Sequence, residues 1–157
     1  MAAGGEPTGA VNGSPSAVLF ACGMNAVRSP MAAAITRHLF PNAIYVASAG
    51  VREGEPDGFV TAVMEEIGID VSRHQPHTFE DLADTSFDVV ISLAPEAHHR
   101  ALELTRTMAF DAEYWPTEDP TVVGGTREQR LDAYRRVRDT LLQRIKERFG
   151  WKPPLTG

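Results

Sequence analysis

The chain contains one cysteine, Cys22, and an arginine stands at position 28 with only Gly23, Met24, Asn25, Ala26 and Val27 between them. Five residues suffice to wrap a loop around one tetrahedral anion. Successive backbone N–H groups from Gly23 to Ser29 would point inward, and a following helix would add its positive end. Arg28 would close the ring with a two-pronged contact. Such surroundings favour a thiolate, so Cys22 would be a nucleophile poised against a bound oxyanion. Gly23 permits a tight bend and Asn25 tolerates a left-handed backbone. The Ser29 hydroxyl can donate to the sulfur, both as attacking thiolate and as departing group. A lone Cys ending an apolar run is otherwise an ordinary core residue. The complete Cys-x5-Arg-Ser pattern between a strand and a helix is what argues for anion chemistry.

Attack by a thiolate on a phosphate monoester expels an alkoxide or phenoxide, so a positioned proton donor is worth roughly a hundredfold to ten-thousandfold. Asp119 is the candidate: it follows the fourth expected strand, and Pro120 stiffens the backbone beside it. A turn-forming Asp-Pro has the same appearance. Tyr114 and Trp115, just before it, would either wall a site for an aromatic leaving group or cap the core. Arg52 is either an anion contact or solvated. His98 and His99 are adjacent and so point in different directions on a helix, and no Cys partner exists for zinc; they read as surface. No metal and no cofactor is expected.

These residues need a scaffold, and the apolar pattern supplies one. "AVLFAC" at residues 17–22 is a continuous apolar run, as in a parallel strand buried on both faces. Ser29 and Pro30 open a helix with Met31, Ile35 and Leu39 on one face. Residues 43–48 form a second strand, and Asp57 caps a helix that Gly68 ends. Residues 88–93 are a third strand, followed by a helix from Pro95 and a weaker strand within residues 107–115. Thr126 and Gln129 make a capping box for a long helix carrying Leu131, Tyr134, Val137, Leu141, Ile145 and Phe149 at helical spacing. Its other face, with Arg135, Arg136, Arg138, Arg144, Lys146 and Arg148, alternates in charge with Glu128, Asp132, Asp139 and Glu147 and reads as solvated. Strands alternating with helices imply an α/β, flavodoxin-like three-layer fold. It would have a four-stranded parallel sheet in the order 2-1-3-4, helices on both faces, and Cys22 at the carboxyl edge where the winding reverses.

At 157 residues the chain is one domain, long enough to bury roughly two thirds of the surface its unfolded form exposes. Residues 1–16, rich in Gly, Ala, Pro and Ser, read as a flexible N-terminal tail. The domain is expected at 17–150 and a short C-terminal tail at 151–157. The first segment lacks the basic start and apolar middle of a secretory signal, and a single Cys forms no internal disulfide, which together suggest a reduced, cytoplasmic protein. The net charge of −6 argues against broad attraction to nucleic acid or to an anionic membrane.

The stretch "VLFACGMNAVRSPMA" resembles the signature loop of the low-molecular-weight protein tyrosine phosphatase family, whose relatives include thioredoxin-coupled arsenate reductases. "SAG" after the second strand, "GIDVSRH" and the "DP" of "WPTEDPT" extend the resemblance from about residue 17 to residue 149. It implies that Cys22 attacks phosphorus through a phosphocysteine intermediate, that Arg28 binds the phosphoryl oxygens and that Asp119 is the general acid. It also implies that Asn25, Ser29, Ser48 and His74 hold the loop in shape. Where the family commonly has a Gly, a second Cys and aromatic residues after "DP", this chain has Met24, Val27 and Thr121 to Val123. The leading expectation is a phosphomonoesterase acting on phosphotyrosine or another aryl phosphate, with Trp115 against the ring. Alternatives are a single-cysteine arsenate reductase using an external thiol and a phosphate-binding regulatory module. Expected partners are a phosphorylated protein or small aryl phosphate and an oxyanion in the loop, with no nucleic acid and no membrane, the chain acting as a monomer or weak dimer.

Overall fold

The apolar run is β1 (Ala17–Cys22), and its alternate side chains enter two different cores. Val18, Phe20 and Cys22 pack on one side of the sheet, Leu19 and Ala21 on the other. A strand buried on both faces belongs at the centre of a parallel sheet. β1 pairs in parallel with β2 (Tyr45–Gly50) and β3 (Val89–Ser92), and β3 with β4 (Asp111–Tyr114), giving the order β2-β1-β3-β4. This α/β architecture and strand order are those expected from the sequence. The structure, a computed structural model, describes residues 15–82 and 86–154. Most of the expected N-terminal tail and the last three residues therefore lie outside the described residues.

The layers are unequal. α1 (Arg28–Leu39) and α4 (Arg127–Phe149) cover one face, with α2 (Gly58–Glu65) packed on α4, while α3 (Pro95–Leu104) covers the other. α1 begins at Arg28, one residue before the expected start, and the Met31 N–H reaches the Val27 carbonyl at 3.1 Å. Pro30 fits the first turn because its missing N–H would have had no helical partner. The single apolar stripe expected of this helix widens, since every residue from Ser29 to Thr36 is buried. β2 starts two residues later than expected, because the amides of Ala43 and Ile44 close back on the Phe40 carbonyl at 3.3 and 3.4 Å. At the other end of the sheet, Asp88 Oδ2 accepts hydrogen bonds from the Ser16 amide and hydroxyl and from the Ala17 amide at 2.8–2.9 Å, anchoring the start of β1.

α4 carries its expected capping box: the Gln129 amide donates to Thr126 Oγ1 at 3.1 Å and the Thr126 amide to Gln129 Oε1 at 2.8 Å. Gly150 ends it at φ 70°, a conformation that favours glycine. All six expected core residues of this helix are buried. Its charged face differs from the solvated reading in one respect. Arg138 is only 8% exposed and bonds the Val63 carbonyl and Glu66 Oε1, each at 2.7 Å, and Asp139 Oδ1 at 2.8 Å. Arg135 adds bonds to Glu66, Glu128 and Asp132. An arginine stem crosses apolar surface readily, and here the guanidinium closes the otherwise open end of α2. No helix among the described residues is long and apolar enough to cross a membrane.

Glu66 is the hub of this clasp, and hydrogen bonds from Arg135 and then Arg138 hold its carboxyl down at about 2. An unfolded glutamate titrates near 4.3. A carboxylate depressed on folding contributes stability above its unfolded value and loses it as pH falls through the folded one. The stability deficit of Glu66→Gln relative to the parent should therefore be full at neutral pH and shrink between about pH 4.3 and 2. Urea unfolding of both proteins across that range checks this; a deficit that stays constant with pH would exclude it.

Candidate active site

The backbone after Cys22 is laced to the segment after β2. Val51 donates to the Cys22 carbonyl at 3.2 Å, Arg52 to Gly23 at 2.9 Å and Gly54 to Met24 at 2.9 Å. Gly50 is what lets the two segments approach: a Cβ there would lie 2.8 Å from the Asn25 nitrogen and 2.6 Å from the Arg52 carbonyl oxygen. Residues 23–27 then turn into the first turn of α1, whose amide end faces the loop.

Asn25 pegs the turn. It is fully buried at φ 54°, and its carbonyl and both polar groups of its side chain are bonded. The His77 amide donates to Asn25 Oδ1 at 3.0 Å, and His74 Nε2 lies 2.9 Å from the Asn25 carbonyl oxygen. A carbonyl only accepts, so His74 carries its proton on Nε2. Burial pushes His74 below its usual range, which disfavours the charged ring. The remaining group, Asn25 Nδ2, donates to Ser29 Oγ at 2.9 Å. Because Ser29 Oγ accepts there, its own hydrogen is free to point to Cys22 Sγ, 2.9 Å away. The Ser29 amide adds a longer contact to the sulfur at 3.4 Å. Two donors thus converge on Cys22, itself 2% exposed at the carboxyl end of the central strand.

Arg28 and Asp119 reach the same edge from opposite ends of the chain. After β4, the Trp115 amide bonds the Ser92 carbonyl at 2.8 Å and the Thr117 amide the Leu93 carbonyl at 3.2 Å, which steers the chain back over the sheet. Arg28 Nη1 donates to the Thr117 carbonyl at 3.0 Å, and Arg28 Nη2 lies 4.0 Å from Asp119 Oδ2. Asp119 Oδ1 caps a single 3-10 turn, Pro120–Val122, accepting from the Thr121 amide at 3.0 Å and hydroxyl at 2.6 Å.

The structure links Cys22, Ser29, Asn25 and His74 in one hydrogen-bonded set and pairs Arg28 with Asp119 in another, with Gly23, Met24, Ala26 and Val27 in the loop that runs from Cys22 to Arg28. Ser48 lies buried in β2 opposite Phe20, and Asn25 is bonded by Ser29, His74 and His77. Trp115 is not at the mouth. It is 4% exposed, meets Phe20 edge-on at 5.9 Å, donates to Glu113 Oε1 at 3.2 Å and lies under the Arg144 guanidinium at 4.9 Å. The core alternative holds for its ring, because its place one residue past β4 turns it inward onto β1. Tyr114 stacks on His98 at 4.6 Å. The Arg52 guanidinium is not free: beside Gly23 it forms a two-pronged pair with Glu96 at 2.7 and 3.0 Å. The Glu96 carboxylate occupies the space a side chain at Gly23 would need. The His77 amide and Thr117 carbonyl are backbone groups with no sequence signature, whereas Thr121, two residues after Asp119, fits the Asx and Ser/Thr turn pattern. Among the described residues no cluster of His, Cys, Asp and Glu is suited to hold a metal.

The chain resembles known proteins in both sequence and fold. The profile of the family described as low molecular weight phosphotyrosine protein phosphatase matches residues 17–149. The chain is 32% identical to a glutaredoxin arsenate reductase of Synechocystis sp. over 129 residues, 82% of this chain and 92% of that protein. An arsenate reductase solved in a phosphate-binding state superimposes with a TM-score of 0.68 at 30% identity, covering 86% of this chain and 97% of that one. A low molecular weight protein tyrosine phosphatase from T. tengcongensis gives a TM-score of 0.68 at 25% identity, covering 83% and 95%.

Removing the peg should be expensive. Asn25→Ala leaves the His77 amide and Ser29 hydroxyl without their partner and keeps a Cβ in the left-handed region, a loss of about 2–4 kcal/mol. Asn25→Gly relieves only the backbone part. Chemical denaturation of the three proteins should rank them parent, Gly, Ala; equal stability would show that Asn25 does not hold the loop.

Proposed function

The chain belongs to the low molecular weight phosphotyrosine protein phosphatase family, and we propose that it is a phosphomonoesterase that hydrolyses phosphotyrosine or other aryl phosphates in two steps on Cys22. The observation that carries this reading is the 4.0 Å approach of Arg28 Nη2 and Asp119 Oδ2 at the edge where the Cys22 sulfur lies. Anion binder, acid and nucleophile then serve one small volume.

In the first step the loop amides and Arg28 hold the phosphoryl oxygens while Cys22 Sγ attacks phosphorus. The bond to the leaving oxygen breaks with its electron pair, and Asp119 gives that oxygen a proton. Charge on the equatorial oxygens is met by donors already in place, which is where such sites gain most of their rate. In the second step Asp119, now a carboxylate, takes a proton from water attacking the phosphocysteine, and the sulfur departs with its pair toward the Ser29 hydroxyl. No cofactor or metal enters this scheme.

A second reading draws on the 32% identical arsenate reductase and on the cysteine count. Arsenate is a tetrahedral oxyanion of nearly the same shape, and the loop would hold it in the same way. Its reduction to arsenite takes two electrons. With one cysteine in the chain, these would come from Cys22 and an external thiol such as glutathione, leaving a mixed disulfide at Cys22. Aryl phosphate hydrolysis measured beside thiol-dependent arsenate reduction, each with Cys22→Ser, separates the two.

On the leading reading Cys22→Ser abolishes turnover of a nitrophenyl phosphate yet still binds phosphate by calorimetry; full activity in this variant would remove Cys22 as nucleophile. Asp119→Ala should lose roughly a hundredfold to ten-thousandfold with phenols that leave poorly and little with strongly activated ones, which depart without a proton. An equal loss across a leaving-group series would remove Asp119 from the role of acid.

A further inference from the structure

Asp119 meets Thr121 twice, and both contacts fall on one carboxyl oxygen. Oδ1 accepts the Thr121 hydroxyl at 2.6 Å and its amide at 3.0 Å, while Oδ2 is turned toward Arg28 Nη2 at 4.0 Å. A protonated carboxyl has one oxygen that accepts and one that carries the hydrogen. Two donors on Oδ1 make it the accepting oxygen, which leaves Oδ2 as the seat of the proton on the side of Arg28 and the loop. We propose that the Thr121 hydroxyl is a positioning residue that fixes Oδ2 of Asp119 as the atom that gives and later takes the proton, an inference that rests on the reading of Asp119 as the acid.

The backbone amide at position 121 would be offered by any residue except proline, so the hydroxyl is the part peculiar to threonine or serine. In the first step the S–P bond forms as the bond from phosphorus to the leaving oxygen breaks. The electron pair stays on that oxygen, and the hydrogen passes to it from Oδ2. The resulting carboxylate keeps Oδ1 covered by Thr121, so its free lone pairs lie on Oδ2, facing the water that must give up a proton in the second step. One oxygen therefore serves both halves of the cycle without rotation of the side chain. Without the hydroxyl, Oδ1 keeps only the amide, the proton can reside on either oxygen, and the carboxyl is free to turn. Thr121 is exposed and outside both cores, so its substitution tests this geometry rather than folding.

The test measures kcat and KM for phenyl phosphates of graded leaving-group acidity in the parent, Thr121→Val, Thr121→Ser, Asp119→Ala and the Asp119→Ala/Thr121→Val double variant. Thr121→Val should lower kcat about three- to tenfold for poor leaving groups, the weight of one hydrogen bond to a carboxyl, with KM unchanged. The loss should shrink as the phenol becomes more acidic, Thr121→Ser should restore the rate, and the double variant should be no slower than Asp119→Ala. A Thr121→Val that shows no loss, a loss uniform across the series, a loss that serine does not rescue, or one that adds to Asp119→Ala overturns the Thr121 role while leaving Asp119 as acid. A flat series in Asp119→Ala, or a parent that hydrolyses none of these substrates, overturns the acid reading itself and the Thr121 assignment with it.

Discussion

The site depends on one buried amide. Burying an asparagine side chain with unmet hydrogen bonds costs several kcal/mol, so the fold must supply partners for the Asn25 amide. One of those partners has a fixed direction. The His77 amide can only donate, which fixes the Asn25 oxygen; the nitrogen must then face Ser29, and the Ser29 hydrogen is released toward Cys22. The orientation of a hydrogen at the sulfur is thus set by a backbone N–H 55 residues away in sequence. The left-handed backbone at residue 25 is held in the same act, since the ring of His74 takes the carbonyl.

The parallel sheet makes these long-range bonds possible. β1 and β2 run in register as far as Cys22 and Gly50, so the segments that leave them emerge side by side and zip together at once. β3 and β4 do the same one place over, and the bonds from residues 115 and 117 to Ser92 and Leu93 return Asp119 to the common edge. The two cores support this by holding β1 rigidly from both faces, with Phe20 against Trp115 on one side and Ala21 among the small residues of α3 on the other. The ring of Trp115 thereby does structural work directly beneath the segment that carries the acid.

Much of this was legible in the chain because the signals are local. The Cys22 to Ser29 spacing, the Asp57 cap, the Thr126 and Gln129 box and the alternation of strand and helix each express physics acting within a few residues. What sequence left open is decided by direction and by distant partners. Trp115 could line a site or a core until β4 was placed against β1. Arg138 looks solvated beside its neighbours, yet one helical position turns it onto the end of α2. The start of β2 was hidden because Ala43 and Ile44 have strand-like side chains but spend their amides on the turn after α1. One support of the loop comes from the backbone amide of residue 77, which no side chain announces.

The lacing of residues 22–24 to residues 51–54 also bears on how an anion is received. A loop that must be ordered by its ligand spends part of the interaction energy on lost conformational freedom. Here the backbone is already hydrogen-bonded along one flank and continues into a helix on the other, so little freedom remains to be lost. The segment bearing Asp119 is held by other means: the amides of Trp115 and Thr117 bond residues 92 and 93, Arg28 bonds the Thr117 carbonyl, and Pro120 is buried in the short turn. The cradle is therefore shaped before an anion arrives, and the acid is brought to it by a segment with its own anchors.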